Sequence, residues 1–213
     1  MMMRKKEGLT LSLEYEVEVR DKSGKLISRQ HGKSHSWLKQ FIQMIMAEWQ
    51  FASGGGNPPA VTINDETGTG RSMPPAYSGT FNSCAWAINA PANSSEYGVK
   101  VGGGDTPNSL LTYALASPIS HGTGLGQLVY GAHTIESVIN PSGGDLTFRV
   151  TRVFTNNSGA SVTVKEIGIT TKRYDQTSTN RTFLFIRDVL PSPTSVPDGA
   201  SLTIRYTVKI TVS

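Results

Sequence analysis

Two carboxylates stand out as residues able to do chemistry. Glu166 and Asp188 lie in the two most strand-like stretches, "SVTVKEIGI" and "RTFLFIRDVL", with Lys165, Arg187 and Arg152 available to pair with them. Paired acids across a cleft are the apparatus of glycoside hydrolysis. A nucleophile or general base would likewise need a partner held within reach in a pocket. The local pattern favours a different role for Glu166. Val162 and Val164 point one way along the strand, Ile167 and Ile169 the other, and the parity flips across Lys165 and Glu166. Such a flip marks a β-bulge or a strand that changes the face it presents. Gly168 just beyond tolerates the irregular backbone. The expectation is a structural charge at a bulge, Glu166 accepting hydrogen bonds from Arg187. A perturbed functional acid is the competing reading.

Other chemical candidates are weaker. Gly32-Lys33-Ser34 resembles the tail of a phosphate-binding loop, but Ile27 occupies the position of the required earlier glycine. "HGTGLG" (121–126) lacks the parallel βαβ context of a dinucleotide motif and reads as a turn. His31, His35, His121 and His133 lack acidic or cysteine partners at zinc spacing. Asp105, Asp145 and Asp198 look like turn aspartates. The single cysteine, Cys84, stands beside Trp86 and reads as core filling; it permits no intrachain disulfide. No cofactor, metal or catalytic residue is expected.

The elements that must position these groups are mostly strands. Of 213 residues only 37% are hydrophobic and 17% charged, with 22 glycines and 11 prolines, a composition of short strands and turns. "LTLSLEYEVEVR" (9–20) and "SLTIRYTVKITVS" (201–213) alternate strictly, each with one face buried. "DKSGK" turns the first strand into a hairpin with "LISRQ". "RTFLFIRDVL" reads as a central strand covered on both faces, and "PSPTSVPDG" (191–199) as a turn-rich connection. Eight to ten strands in one domain over 1–213 imply an all-β, antiparallel two-sheet sandwich, jelly-roll-like.

One amphipathic helix interrupts the strands. "SHSWLKQFIQMIMAEW", within 34–50, offers Ser34 or Ser36 as N-cap. Trp37, Leu38, Phe41, Ile42, Ile45, Met46 and Trp49 form its apolar stripe, with Lys39, Gln40, Gln43 and Glu48 on the polar side. The stripe packs on its own sheet or on a neighbouring subunit, so Trp37, Phe41, Ile45 and Trp49 are the interface candidates. Residues 52–80 are rich in Gly and Pro, which break any strand, and read as a loop or extended arm inserted in the domain.

A net charge of +4 is modest, and nine of twenty Lys/Arg in residues 1–40 stand against five acids there. A nucleic-acid binder shows a denser basic stripe with interleaved aromatics, so nucleic acid is not an expected partner. No apolar run approaches the length of a membrane span, and no export signal is visible.

Three stretches resemble a known group. "GVKVGGGDTPNSLLTYALASPISHGTGLGQLVYGA", "FTNNSGASVTVKEIGI" and "FLFIRDVLPSPTSVPDGASLTIRYTVKI" follow one another as in small β-rich proteins of tailed bacteriophages and related viruses. The likeness covers about residues 97–211, and "SHSWLKQF" is also similar. Residues 52–80 depart from it. The motifs define a fold and carry no active-site residues. The resemblance implies a virion structural protein, made in the host cytoplasm and assembling in multiple copies with itself and other virion proteins. A head decoration, a capsid-associated part or a tail accessory component all fit. The alternative is a receptor- or glycan-binding module of a tail fibre or baseplate, using Tyr77, Trp86, Tyr97 or Tyr113 to stack on sugars.

Overall fold

The computed structural model describes residues 9–34, 37–49, 60–73, 86–140 and 145–212. Ten strands and one helix are formed among them. The alternating N-terminal stretch is β1 (Leu9–Arg20), which folds back into β2 (Leu26–Lys33). The C-terminal stretch, β10 (Ser201–Val212), pairs antiparallel with β1 along its whole length. With β6 (Val129–Asn140) and β7 (Asp145–Thr155) they make a five-stranded sheet in the order β2-β1-β10-β7-β6. A second sheet has the order β5-β8-β9, from Gly98–Gly102, Val162–Tyr174 and Asn180–Val196. A short hairpin, β3 (Val61–Asn64) and β4 (Gly70–Met73), stands beside it. The fold is all-β and antiparallel. One core unites Leu13, Val17, Ile204 and Tyr206 of the first sheet with Val99, Ile167, Phe183 and Phe185 of the second, which makes it a sandwich.

The expected 52–80 arm is therefore not strand-free: 61–73 close into the β3–β4 hairpin. Its turn is built on Asp65, whose Oδ1 accepts the Thr67 and Thr69 N–H groups and the Thr67 hydroxyl, while Oδ2 accepts Arg71 Nε at 2.6 Å. The β8–β9 turn repeats this with Asp175, Thr177, Thr179 and Arg181, the ion pair at 2.9 Å. The sequences "NDETGTGR" and "YDQTSTNR" thus encode one device twice, an aspartate that satisfies the turn's own N–H groups. Asp21 does the same for Ser23 and Lys25 between β1 and β2. The two twin hairpins touch, Gln176 N–H donating to Ser72 O at 2.9 Å.

β9 is longer than expected. It runs through Pro191 and Pro193 to Val196, so part of 191–199 is strand. Val164 faces Thr194 and Glu166 faces Val189, leaving Leu190–Pro193 as a bulge opposite Lys165. Proline cannot donate to a ladder, and both prolines sit where no ladder bond is required. Nor is β9 a central strand. It ends the β5-β8-β9 order, and its free edge is covered by Trp37, which bridges to Ile186, and by Leu38, whose N–H donates to Phe185 O.

That pairing also explains the helix. α1 spans Lys39–Trp49, starting later than the expected N-caps because Trp37 and Leu38 are held extended by β9. Its buried side differs from the expected stripe. Gln40 and Ala47 are buried, with Gln40 Nε2 donating to Thr112 O, whereas Ile42 and Met46 face outward. Residues 52–59 and 74–80, Tyr77, Cys84, His35 and the side chains of Trp49 and Asp145 lie outside the described residues.

Candidate functional site

Glu166 sits at the register shift between β8 and β9, and both it and Arg187 are essentially unexposed, at 0% and 1%. Arg187 Nε donates to Glu166 Oε2 at 2.6 Å. The same carboxylate accepts three backbone N–H groups: Ala116 at 3.0 Å on Oε2, and Ser117 at 2.8 Å and Gly104 at 3.2 Å on Oε1. Asn108 Nδ2 adds a bond to Arg187 O at 2.8 Å. Loop 103–118 is thereby clasped onto the sheet. The glycines of "GGGD" make the approach possible. A Cβ on Gly102 would collide with the carboxylate, and one on Gly104 would lie 2.7 Å from it. With four donors in place, Glu166 cannot serve as a general base without releasing the loop.

Asp188 does not converge on Glu166. Glu166 and Arg187 project from one face of the sheet, and Asp188 projects from the other with Ile167, its cross-strand partner. There Asp188 accepts the Tyr206 hydroxyl at 3.0 Å inside the sandwich. Burial of the Tyr206 phenol, and after it the Asp188 negative charge, push that phenol well above its ordinary value. The two carboxylates thus lack the facing geometry that an acid pair needs. Lys165 reaches Asp105 at 2.8 Å on the surface, and Asp198 Oδ1 accepts Gly159 N–H at 2.8 Å.

Arg152, expected as a partner for the two carboxylates, instead builds a second clasp on backbone carbonyls. Arg152 is fully buried and donates to five backbone carbonyls, those of Pro91, Ser94, Tyr97, Val99 and Gly131. Its guanidinium lies 4.6 Å from the Tyr130 ring centroid, and burial pulls it down to about 10. Beside it, His133 Nε2 accepts Val99 N–H at 2.7 Å while Nδ1 donates to Ala90 O at 3.0 Å. That tautomer is neutral, and burial pushes the imidazole down to about 4. Together they fasten residues 90–99 to the first sheet. The only local signal was an Arg and a His at cross-strand positions on inward-facing sites.

A further feature is an apolar groove of about 330 Å³. Leu11, Phe148 and Val208 line it from the first sheet, and Trp37, Phe41, Met44 and Trp86 from the opposite side. Trp37 and Phe41 stack on each other at 4.1 Å, and Phe41 meets Phe185 edge-on at 5.8 Å. These two interface candidates thus form a wall of the groove, while Ile45 is half-buried on α1. Trp86 is held by Glu48, which accepts its Nε1–H at 2.7 Å, and by Arg173 over its ring at 4.5 Å. Of the sugar-stacking candidates described, Trp86 lies in this packing, Tyr97 has Lys172 Nζ 5.4 Å from its ring, and Tyr113 is exposed.

Among the described residues no cluster of His, Cys, Asp and Glu could hold a metal, and no helix is long and apolar enough to cross a membrane. No protein family, curated protein or solved structure matches the chain.

Proposed function

We propose that this chain is a bacteriophage virion structural protein that assembles in multiple copies, as a head decoration, capsid-associated or tail accessory component. One observation carries the reading. The inward face of the five-stranded sheet is wider than the three-stranded β5-β8-β9 sheet that packs on it, and Leu11, Ile135, Leu146 and Phe148 of that face are exposed. Ile135 on β6 is the cross-strand partner of Val150, and Leu146 lies two residues from Phe148 on β7, so the exposed side chains continue the core face. An uncovered apolar face of this kind is what a protein–protein contact buries. The resemblance of the motif order to β-rich phage proteins is in keeping with this reading. So is the use of the interior charges Glu166, Arg187 and Arg152 to hold loops in place.

Two measurements test the reading. Light scattering behind a sizing column is expected to give a multimer; a monomer at every concentration counts against self-assembly. Mass spectrometry of purified particles of the encoding virus is expected to find the chain in many copies per particle. Its absence from the particles overturns the proposal.

A further inference from the structure

Resting on that multi-copy reading, we infer that copies join head to tail, with the Leu110–Leu111 turn of one copy seated in the apolar groove of the next. Turn corners usually carry polar residues or glycine. Here Ser109-Leu110-Leu111-Thr112 closes a β-turn, Thr112 N–H donating to Ser109 O at 3.0 Å, and puts two leucines at the corners. They are 70% and 68% exposed. The turn is not slack. Ser109 N–H donates to Thr112 Oγ1 at 3.1 Å, Lys39 N–H donates to Leu110 O at 3.1 Å, and Gln40 Nε2 donates to Thr112 O at 3.0 Å. Asn108, the preceding residue, is tied to Arg187 O. The fold therefore holds two exposed leucines in a fixed pose.

The groove is the matching shape. It is open, about 330 Å³, and its lining includes no charged residue. That volume is at the lower end of about 300–1,000 Å³ for sites that enclose ligands, a scale suited to aliphatic anchors. Neither leucine lines the groove of its own chain. A knob seated in the hole of the next copy, repeated in one sense, makes a heterologous contact, which closes into a ring or propagates as a filament. The segment 109–113 carries no charge either, so the contact strands no ion.

Complementation tests this. Leu110→Asp/Leu111→Asp removes the knob, and Leu11→Asp, at an exposed site on the groove's rim, blocks the hole. Phe148→Asp is the second groove variant, used if Leu11→Asp fails to fold by circular dichroism. Each leucine lost from a buried contact weakens association by about tenfold or more. The knob variant should lose about a hundredfold, and each variant alone should sediment as a monomer. Mixed, the knob and groove variants should form a 1:1 dimer that grows no further, because one intact knob and one intact hole remain. Wild-type multimers that persist in both variants overturn the contact and leave the multi-copy reading standing. Failure of the mixture to pair overturns the head-to-tail arrangement. A wild-type monomer at all concentrations overturns both.

Discussion

Glu166→Gln separates a structural acid from a catalytic one. The substitution keeps the shape and one acceptor oxygen but removes the charge and puts an NH₂ where Oε1 or Oε2 stood. Arg187 then remains buried without its counter-ion, and one or two of the Gly104, Ala116 and Ser117 N–H groups face a donor. Breaking a buried ion pair from one side costs about 3–5 kcal/mol. With a urea dependence near 3 kcal/mol per molar for a chain of this size, the unfolding midpoint should fall by about 1–1.7 M. Amide exchange at Gly104, Ala116 and Ser117 should accelerate more than exchange in β1 and β10, because the loop loses its anchor before the core opens. Glu166→Leu combined with Arg187→Met should cost less than the sum of the single changes, since neither charge is then left alone. A midpoint shift below about 0.3 M for Glu166→Gln, roughly 1 kcal/mol, would refute the clasp.

Three further outcomes are expected. His133 is neutral in the fold and held near 4, below its ordinary 6.5, so the unfolded chain binds more protons between these values. Its contribution is complete above about pH 6.5 and is lost as pH falls toward 4, by roughly 3 kcal/mol; urea midpoints at pH 7 and 4.5 should show this, and His133→Gln should flatten the difference. Gly98→Ala should cost about 3 kcal/mol in thermal or urea unfolding, because Gly98 has φ +86° and a Cβ there would collide with the His133 ring. Asp175→Asn should destabilise by about 1–2 kcal/mol at pH 7 through loss of the Arg181 pair. Burial alone would raise the Asp175 carboxyl, but the Thr177 and Arg181 bonds outweigh it and hold it at about 2. The wild-type advantage over the variant should therefore vanish in urea unfolding as pH falls from 4 to 2.

Legibility in the sequence followed the range of the forces involved. β1 and β10 were readable because each buries one face, which forces strict alternation. The parity flip at Lys165–Glu166 was readable for the same reason. Its partner, the Leu190–Pro193 bulge, was hidden because prolines read as a turn whether or not a strand continues past them. The start of α1 was not legible, since Trp37 and Leu38 are drawn out of the helical pattern by β9, far away in sequence. Gln40 passed for a surface residue because its partner, the Thr112 carbonyl, comes from a distant loop. The parity flip points to Glu166 and Arg187, but the three backbone donors leave only the glycine run as a trace in the sequence. The Asp65 and Asp175 turns had a visible signal in their shared D-x-T-x-T-x-R spacing. It is found only by comparing one part of the chain with another.

The clasps and the proposed assembly belong to one physical problem. Association orders whatever is mobile at the contact, at about 0.5–1.5 kcal/mol for each side chain immobilised. A loop already fixed at folding avoids that cost in every copy. Glu166 and Arg187 fix 103–118, and Arg152 with His133 fix 90–99, and each does so with bonds to the backbone, so the loop's path is set while its outward side chains stay free to differ. Leu110 and Leu111 stand on the first of these loops. On this view the charge at the bulge and the leucines at the turn act in sequence: the carboxylate sets the pose, and the pose makes the apolar contact strong enough to repeat. Glu166→Gln should then weaken association even under conditions where the folded fraction is unchanged, because the knob becomes mobile before the domain unfolds.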